Sequence, residues 1–282
     1  MPTLISESSI MQAELQIGYV TDTKLMRNDR DRRDALRHLP TNLDATYVHI
    51  LTSALKRYPQ RESKMKQALQ WLTVAVSPLT KTQLAEVISI RPRDTRLDFS
   101  GIYEPHDVIA PLSQLVTHGT DTEHTILSFE EHQMLKDTTV QLHHLEVKKF
   151  LAGNDILNTS GSSFHFTEKQ SHALVARVCL QYLSFSDFEI DSECLESDDG
   201  LKSLMERYTF LSYAATYWAT HLRMVDLSCD EENIHQLKHH LLWFMNPDSS
   251  PGRFKLWKTV LKLVGSKPGV ASLSRRLPHE CE

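Results

Sequence analysis

Residues 68–88, ALQWLTVAVSPLTKTQLAEVI, hold one apolar helix that stops at a Ser-Pro-Leu-Thr corner and a second helix that begins at once. Pro78 closes the first, because its ring clashes with the preceding turn and it has no N–H to donate. Thr80 then offers an N-cap with Gln83 three residues on, a capping box that starts a short helix through about Ile90. The stretch reads as the first half of a helix-turn-helix unit. Upstream, Leu43, Tyr47, Ile50, Leu51, Ala54, Leu55 and Tyr58 follow one helical face, with Thr41 or Asn42 as cap and Pro59 as stop. The next helix, from about Glu62 to Val76, carries Met65, Leu69, Leu72 and Val76 on one side, widened by Ala68, Trp71 and Ala75. So broad a stripe implies burial against more than one neighbour.

Downstream, after a polar connector from Arg91 to Gly101, Pro105 can occupy the first turn of a third helix carrying Val108, Ile109, Leu112 and Leu115. The period then changes. Leu115–His118, Thr125–Phe129 and Thr139–His143 are short β-branched or alternating runs separated by polar turns, which suits hairpin strands. Three helices followed by a hairpin is the layout of a winged helix. A helix from about Leu145 to Ala152 ends near Gly153, and 154–163 reads as a connector. Thr167 and Gln170 form another capping box ahead of Leu174, Val178, Cys179, Tyr182 and Leu183. Further helices are expected at Phe210–Met224, Glu231–Met245 and Phe254–Val264, with an acidic loop at Asp187–Asp199. The predicted fold is mainly α: a winged helix with a small β-hairpin wing, followed by an all-helical domain. The predicted parts are a charged helical extension at 1–34, a helical lead-in at 35–60, the winged helix at 61–157 and the helical domain at 158–282.

Bulk properties narrow the function. The chain has 282 residues, 40% hydrophobic and 24% charged, which suits folded, mostly helical structure. Its net charge of -5 supplies no field that would gather nucleic acid or an anionic membrane. No run approaches a spanning helix and the first residues lack a signal-peptide pattern, so a cytoplasmic protein is expected. Cys179, Cys194, Cys229 and Cys281 form no C-x-x-C pair and read as reduced thiols, with Cys179 in the core. The mixed-sign run 27–34 reads as a solvated helical face. Among the nine glycines there is no phosphate loop of the Gly-x-x-x-x-Gly-Lys-Ser/Thr kind and no Gly-x-Ser-x-Gly nucleophile elbow. No catalytic residue, cofactor or metal is assigned.

Several residues resemble a known set, the winged-helix region of fungal NACHT-type signalling proteins, labelled the GPI inositol-deacylase winged-helix domain. Leu39-Pro40, Leu43-Asp44 and Thr46-Tyr47 are similar to its entry motif. Ala68–Leu72, Ser77–Thr80 and Leu84–Glu86 are similar to its first two helices. Val140, Leu142, His144, Val147, Lys148, Phe150 and Leu151 resemble the strand-to-helix motif after the wing. His172, Cys179-Leu180, Tyr182-Leu183, Tyr208, Phe210-Leu211, Tyr213–Ala215, Tyr217-Trp218 and His221 are similar to its helical continuation. Glu146 stands where the family has Ser, Lys149 where it has Glu and Thr209 where Pro is usual, and Thr122–Asp137 looks like an insertion in the wing.

The resemblance implies a non-enzymatic regulatory or protein-interaction module from a multidomain signal-transduction NTPase, here as a truncated or fragment protein, serving fungal non-self recognition. The implied partners are NTPase or ankyrin-type repeat domains, in cis or in trans. In the wider class, a His at the strand-to-helix junction touches the bound diphosphate, which makes His144 the nucleotide-sensing candidate. A helix N-terminus there adds a favourable field for an anion. The nucleotide would have to be held by a partner, which defines an alternative reading as a switch component. A second alternative, a DNA-binding winged helix, suffers from the stretch His106–Leu115, which has no Lys or Arg with which to read bases. His235 and His239, at i, i+4 with His240 adjacent, raise zinc, but no Cys or carboxylate at ligand spacing completes a site. Trp71, Trp218, Trp243 and Trp257 occupy core-like positions, and an exposed remainder around Phe254 and Trp257 would suit docking of a repeat array or partner helix.

Overall fold

A computed structural model describes residues 7–21, 28–119, 138–189, 198–226, 232–246 and 251–265. Among these the chain is mainly helical, with one small antiparallel sheet of three strands. It gathers into two compact units, each assembled from segments far apart in sequence: 1–73, 78–81 and 105–168 form the first, and 74–77, 82–104 and 169–282 the second.

In the first unit, α1 (Glu7–Thr21) packs on α3 (Leu43–Arg57). Met11 and Leu15 are the buried residues of α1, and the Tyr47 hydroxyl donates to Met11 Sδ at 3.2 Å. Gln12 and Gln16 fix the same helix by donating to the Pro40 carbonyl at 3.1 and 2.8 Å. The charge run forms α2 (Asp29–Arg37), capped by the Asn28 side chain and burying none of its residues. Its pairs Arg32–Asp29 and Arg37–Asp34 lie open to water, so this is the solvated face the sequence implies. Asn42 caps α3 through a bond from the Ala45 N–H at 2.8 Å, and Thr46, Tyr47, Ile50, Leu51 and Ala54 form its buried face.

Helix α4 (Glu62–Val74) buries Met65, Ala68, Leu69 and Trp71 almost completely. It ends two residues before the expected Val76, because the residues leading into a proline favour extended backbone. Leu79–Thr80 then forms a strand that the sequence pattern does not predict, β1. Strand β2 (Val116–Gly119) and strand β3 (Thr139–Leu142) complete the sheet in the order β1-β3-β2. The register pairs Leu79 with Val140 on one side of β3, and Val116 with Leu142 on the other. The expected strand Thr125–Phe129 and the insertion Thr122–Asp137 fall outside the described residues.

The third helix is much shorter than expected. Helix α6 (Pro105–Ile109) gives way to a 3-10 turn at Ala110–Leu112, where Pro111 interrupts the hydrogen-bond ladder. Arg61 holds α6 by donating to the Asp107 carbonyl at 2.8 Å. After β3 comes α7 (Leu145–Ala152), which ends at Gly153; a Cβ there would meet the Lys149 carbonyl oxygen at 2.8 Å, so glycine is required. The expected connector 154–163 is not a free linker. It makes a 3-10 turn at Asp155–Asn158 and buries Ile156, with Phe164 and Phe166 buried just beyond.

In the second unit, α5 (Lys81–Ser89) buries Leu84 through Ile88, Glu86 among them. Helix α8 (Glu168–Leu183) is buried on nearly every side, from Ser171 to Leu183 with few breaks. The polar connector of 91–101 is tied down by α8 and its end: the Gln181 amide donates to the Arg91 and Asp94 carbonyls at 2.7 and 3.0 Å, and the Leu97 N–H donates to Asp187 at 2.7 Å. Helices α9 (Asp198–Arg207), α10 (Leu211–Leu222), α11 (Glu232–Met245) and α12 (Pro251–Gly265) follow. Trp257 of α12 donates to the Ala215 carbonyl of α10 at 3.0 Å, and its ring meets Trp218 edge-on with centroids 6.0 Å apart.

Candidate functional site

His144 stands at the N-cap of α7, two residues after the end of β3. The strand does not continue through it. A bend at 143–144 breaks the alternation that would send neighbouring side chains to opposite faces, and the two imidazoles lie on one side, their centroids 4.1 Å apart. The backbone around them is fixed: the His143 N–H donates to the Leu115 carbonyl at 2.9 Å, and the Val147 N–H to the His144 carbonyl at 3.2 Å. Glu14, on the exposed side of α1, reaches the same place. Its Oε2 lies 3.7 Å from His144 Nε2 and 3.9 Å from His143 Nε2.

Glu14, His143 and His144 are the one group of three metal-ligating side chains among the described residues, with one donor atom from each lying within 4.8 Å of the other two. His144 Nε2 is buried and has no hydrogen-bond partner among the described residues. Burial and the neighbouring His144 hold His143 below its ordinary pKa, with Glu14 acting in the opposite direction. His144 is singled out by the sequence, but neither His143 nor Glu14 is. The adjacent pair of histidines is a visible signal; the carboxylate, on a helix at the other end of the unit's sequence, gives none.

The histidines that raise zinc in the sequence come together less well. His239 and His240 have centroids 5.5 Å apart, and His235, His239 and His240 do not gather into a group of three ligands among the described residues. Of the four cysteines, Cys179 is described, fully buried, its thiol pushed well up by desolvation; Cys194, Cys229 and Cys281 lie outside the described residues. A thiol so placed is core filling rather than a nucleophile.

Two buried polar networks in the second unit have no signature in the sequence pattern. The Glu86 carboxylate accepts from the Tyr182 hydroxyl, and from the Thr209 N–H and hydroxyl at 3.1 and 2.5 Å. Burial raises the Glu86 pKa against the opposing pull of these donors. In the other network the Val76 N–H donates to the Tyr213 hydroxyl at 3.1 Å, and that hydroxyl is hydrogen-bonded to His221 Nε2 at 3.0 Å. His221 Nδ1 meets His172 Nδ1 at 2.9 Å. Desolvation, with His172 close by, lowers the His221 pKa to about 3, so the ring is neutral. In both networks buried polar groups bond one another, which suits specification of a core rather than chemistry on a ligand.

The aromatic cluster at the end of the chain is also partly used up. Phe254 and Trp257 are half-buried against each other and against Phe244, and the apolar residues that remain exposed are Met224, Leu242, Met245 and Leu263. In the first unit, Ala13, Gln16, Ile17, Val20, Leu36 and Leu39 line an open groove of about 240 Å³ between α1 and α2, with Ile17 63% exposed. No described helix is long and apolar enough to cross a membrane. Comparison of the chain with protein-family models, with curated proteins and with solved structures finds no match.

Proposed function

We propose that this chain is a non-enzymatic, cytoplasmic regulatory module of winged-helix type that acts by binding other proteins. The observation that carries the reading is the sheet order β1-β3-β2, with a helix before β1, two helices between β1 and β2, and a helix after β3. That is the order of elements a winged helix requires, and it accords with the resemblance to the region that follows the NTPase in NACHT-type signalling proteins. The apolar groove beside α1 and the exposed Leu242, at 74%, support a protein partner, since exposed apolar clusters of this kind are commonly covered. In the nucleotide-switch version, a partner NTPase holds the phosphates and His144, at a helix N-terminus, contacts them. Duplex DNA is disfavoured: α6 spans only Pro105–Ile109 and offers no Lys or Arg for phosphates or base edges.

The test is affinity purification of the full chain from its host in ADP and in ATP. Retention of a P-loop NTPase in near-stoichiometric amount, to different extents in the two nucleotides, is the expected result. A chain that keeps no stoichiometric partner in either nucleotide, or that binds duplex DNA with a steep salt dependence, overturns the reading. If the NTPase is retained and His144→Ala leaves the nucleotide difference unchanged, the sensing role of His144 is wrong while the module reading stands.

A further inference from the structure

We propose that Glu14, His143 and His144 form a divalent transition-metal site of the zinc class, which ties α1 to the corner between β3 and α7. Two imidazoles and one carboxylate make up a donor set that zinc accepts in sites with three protein ligands, leaving the fourth position to water. Bonds of about 2.0–2.2 Å in a tetrahedral arrangement place neighbouring donor atoms roughly 3.3–3.5 Å apart. The carboxylate oxygen already stands 3.7 and 3.9 Å from the two Nε2 atoms, so closing those edges needs only small side-chain rotations.

Three further features favour a metal over an accidental gathering. The supports are stiff on both sides: α1 is held by buried Met11 and Leu15 and by Gln12 and Gln16 on Pro40, and the His pair is held by its backbone bonds to Leu115 and Val147. The bend after β3 puts both rings on the side that faces Glu14, where an unbroken strand would have separated them. His144 Nε2, buried and without a hydrogen-bond partner among the described residues, is the kind of polar atom that calls for an ion or a water to satisfy it. Glu14 remains 55% exposed and His143 36%, so the cation has a path in and room for water as its fourth ligand. The site would fasten two segments from opposite ends of the first unit's sequence, and its role is therefore a clip. Such a clip needs no part of the regulatory reading, and it draws on the same His144 ring that the nucleotide-switch version of that reading sets against phosphates.

The experiment is titration of the full chain with Zn²⁺ against a chromophoric chelator, with Co²⁺ as the spectroscopic probe of ligand type and geometry. The expected result is one metal ion per chain, bound at about 1 µM or tighter, with the strong visible absorption of four-coordinate Co²⁺. Loss even of a group that only supports a ligand weakens metal binding about 10- to 100-fold, so Glu14→Gln, His143→Ala and His144→Ala should each cost at least about tenfold. The double variant His235→Ala with His239→Ala should bind as the parent does. Glu14→Gln keeps the side-chain shape at an exposed position, and unchanged far-UV circular dichroism separates loss of the site from loss of the fold. Absence of one-to-one binding below about 100 µM overturns the proposal. So does binding that ignores the three ligand variants, or that disappears in the His235/His239 variant. A cluster that serves only as a His–Glu ion pair gives the first of these results.

Discussion

The chain uses the same chemistry twice in opposite surroundings. In the first unit, His143 and His144 face Glu14 with all three side chains partly open to water. In the second, His221 is fully buried between Tyr213 and His172, and both of its ring nitrogens are engaged. The difference lies in what surrounds the rings rather than in the residues. An imidazole that faces a carboxylate without a hydrogen bond to it keeps a lone pair for a cation. One closed between a hydroxyl and a second imidazole is held neutral, and its energy goes into specifying the fold.

The largest expected effect falls on the closed cluster. His221→Ala removes a fully buried ring and takes one hydrogen-bond partner from each of the Tyr213 hydroxyl and His172 Nδ1. A cavity of that size with two lost hydrogen bonds should cost about 3–4 kcal/mol. Urea denaturation followed by tryptophan fluorescence reads it, since Trp218, Trp243 and Trp257 all belong to the second unit. A loss below about 1 kcal/mol would mean that water fills the site and that the cluster is no more closed than its counterpart.

Next in size is the dependence on pH. The His221 pKa is lowered to about 3, below the ordinary value of 6.5 that it regains on unfolding. As pH falls below 6.5 the unfolded chain takes up a proton that the folded chain refuses. Stability is therefore full above 6.5 and drains away as pH falls toward 3, at up to ~1.4 kcal/mol per pH unit. His240, lowered to about 4, adds a loss of the same sign, smaller because its ring is less buried and more screened. Unfolding free energies from urea titrations at pH 7 and pH 5 should thus differ by about 2 kcal/mol, and His221→Ala should flatten that slope. A slope that His221→Ala leaves intact would place the titration elsewhere.

How much of this is legible in the sequence follows from the range of each interaction. Helices in the stretch 68–88 announce themselves through spacing and a proline, and the structure places them within two residues. Strand β1 has two residues and no period to read; it exists because β3 pairs with it. The connector of 154–163 looks polar, yet Ile156 anchors it, which composition conceals. Site geometry is harder still, since Glu86 meets Tyr182 across 96 positions and His172 meets His221 across 49. Departures from the resembled pattern become intelligible only in three dimensions. Glu146 and Lys149 differ from the pattern together and pair with each other at 2.6 Å. Thr209 supplies Glu86 with an N–H and a hydroxyl, neither of which a proline has.

The smallest expected effect is the sharpest check on the contrast. With metal removed by chelator at pH 7, Glu14→Gln loses only long contacts of 3.7 and 3.9 Å from a side chain that is 55% exposed. Water replaces what the carboxylate gave, so the first unit's stability should change by no more than about 0.5 kcal/mol. Hydrogen exchange of the α1 amides, which report on the helix carrying Glu14, measures the difference locally. A cost above about 1.5 kcal/mol would show that the open cluster contributes to folding as heavily as the closed one. Its three donor atoms would then be spent on the protein, with nothing left over for an ion.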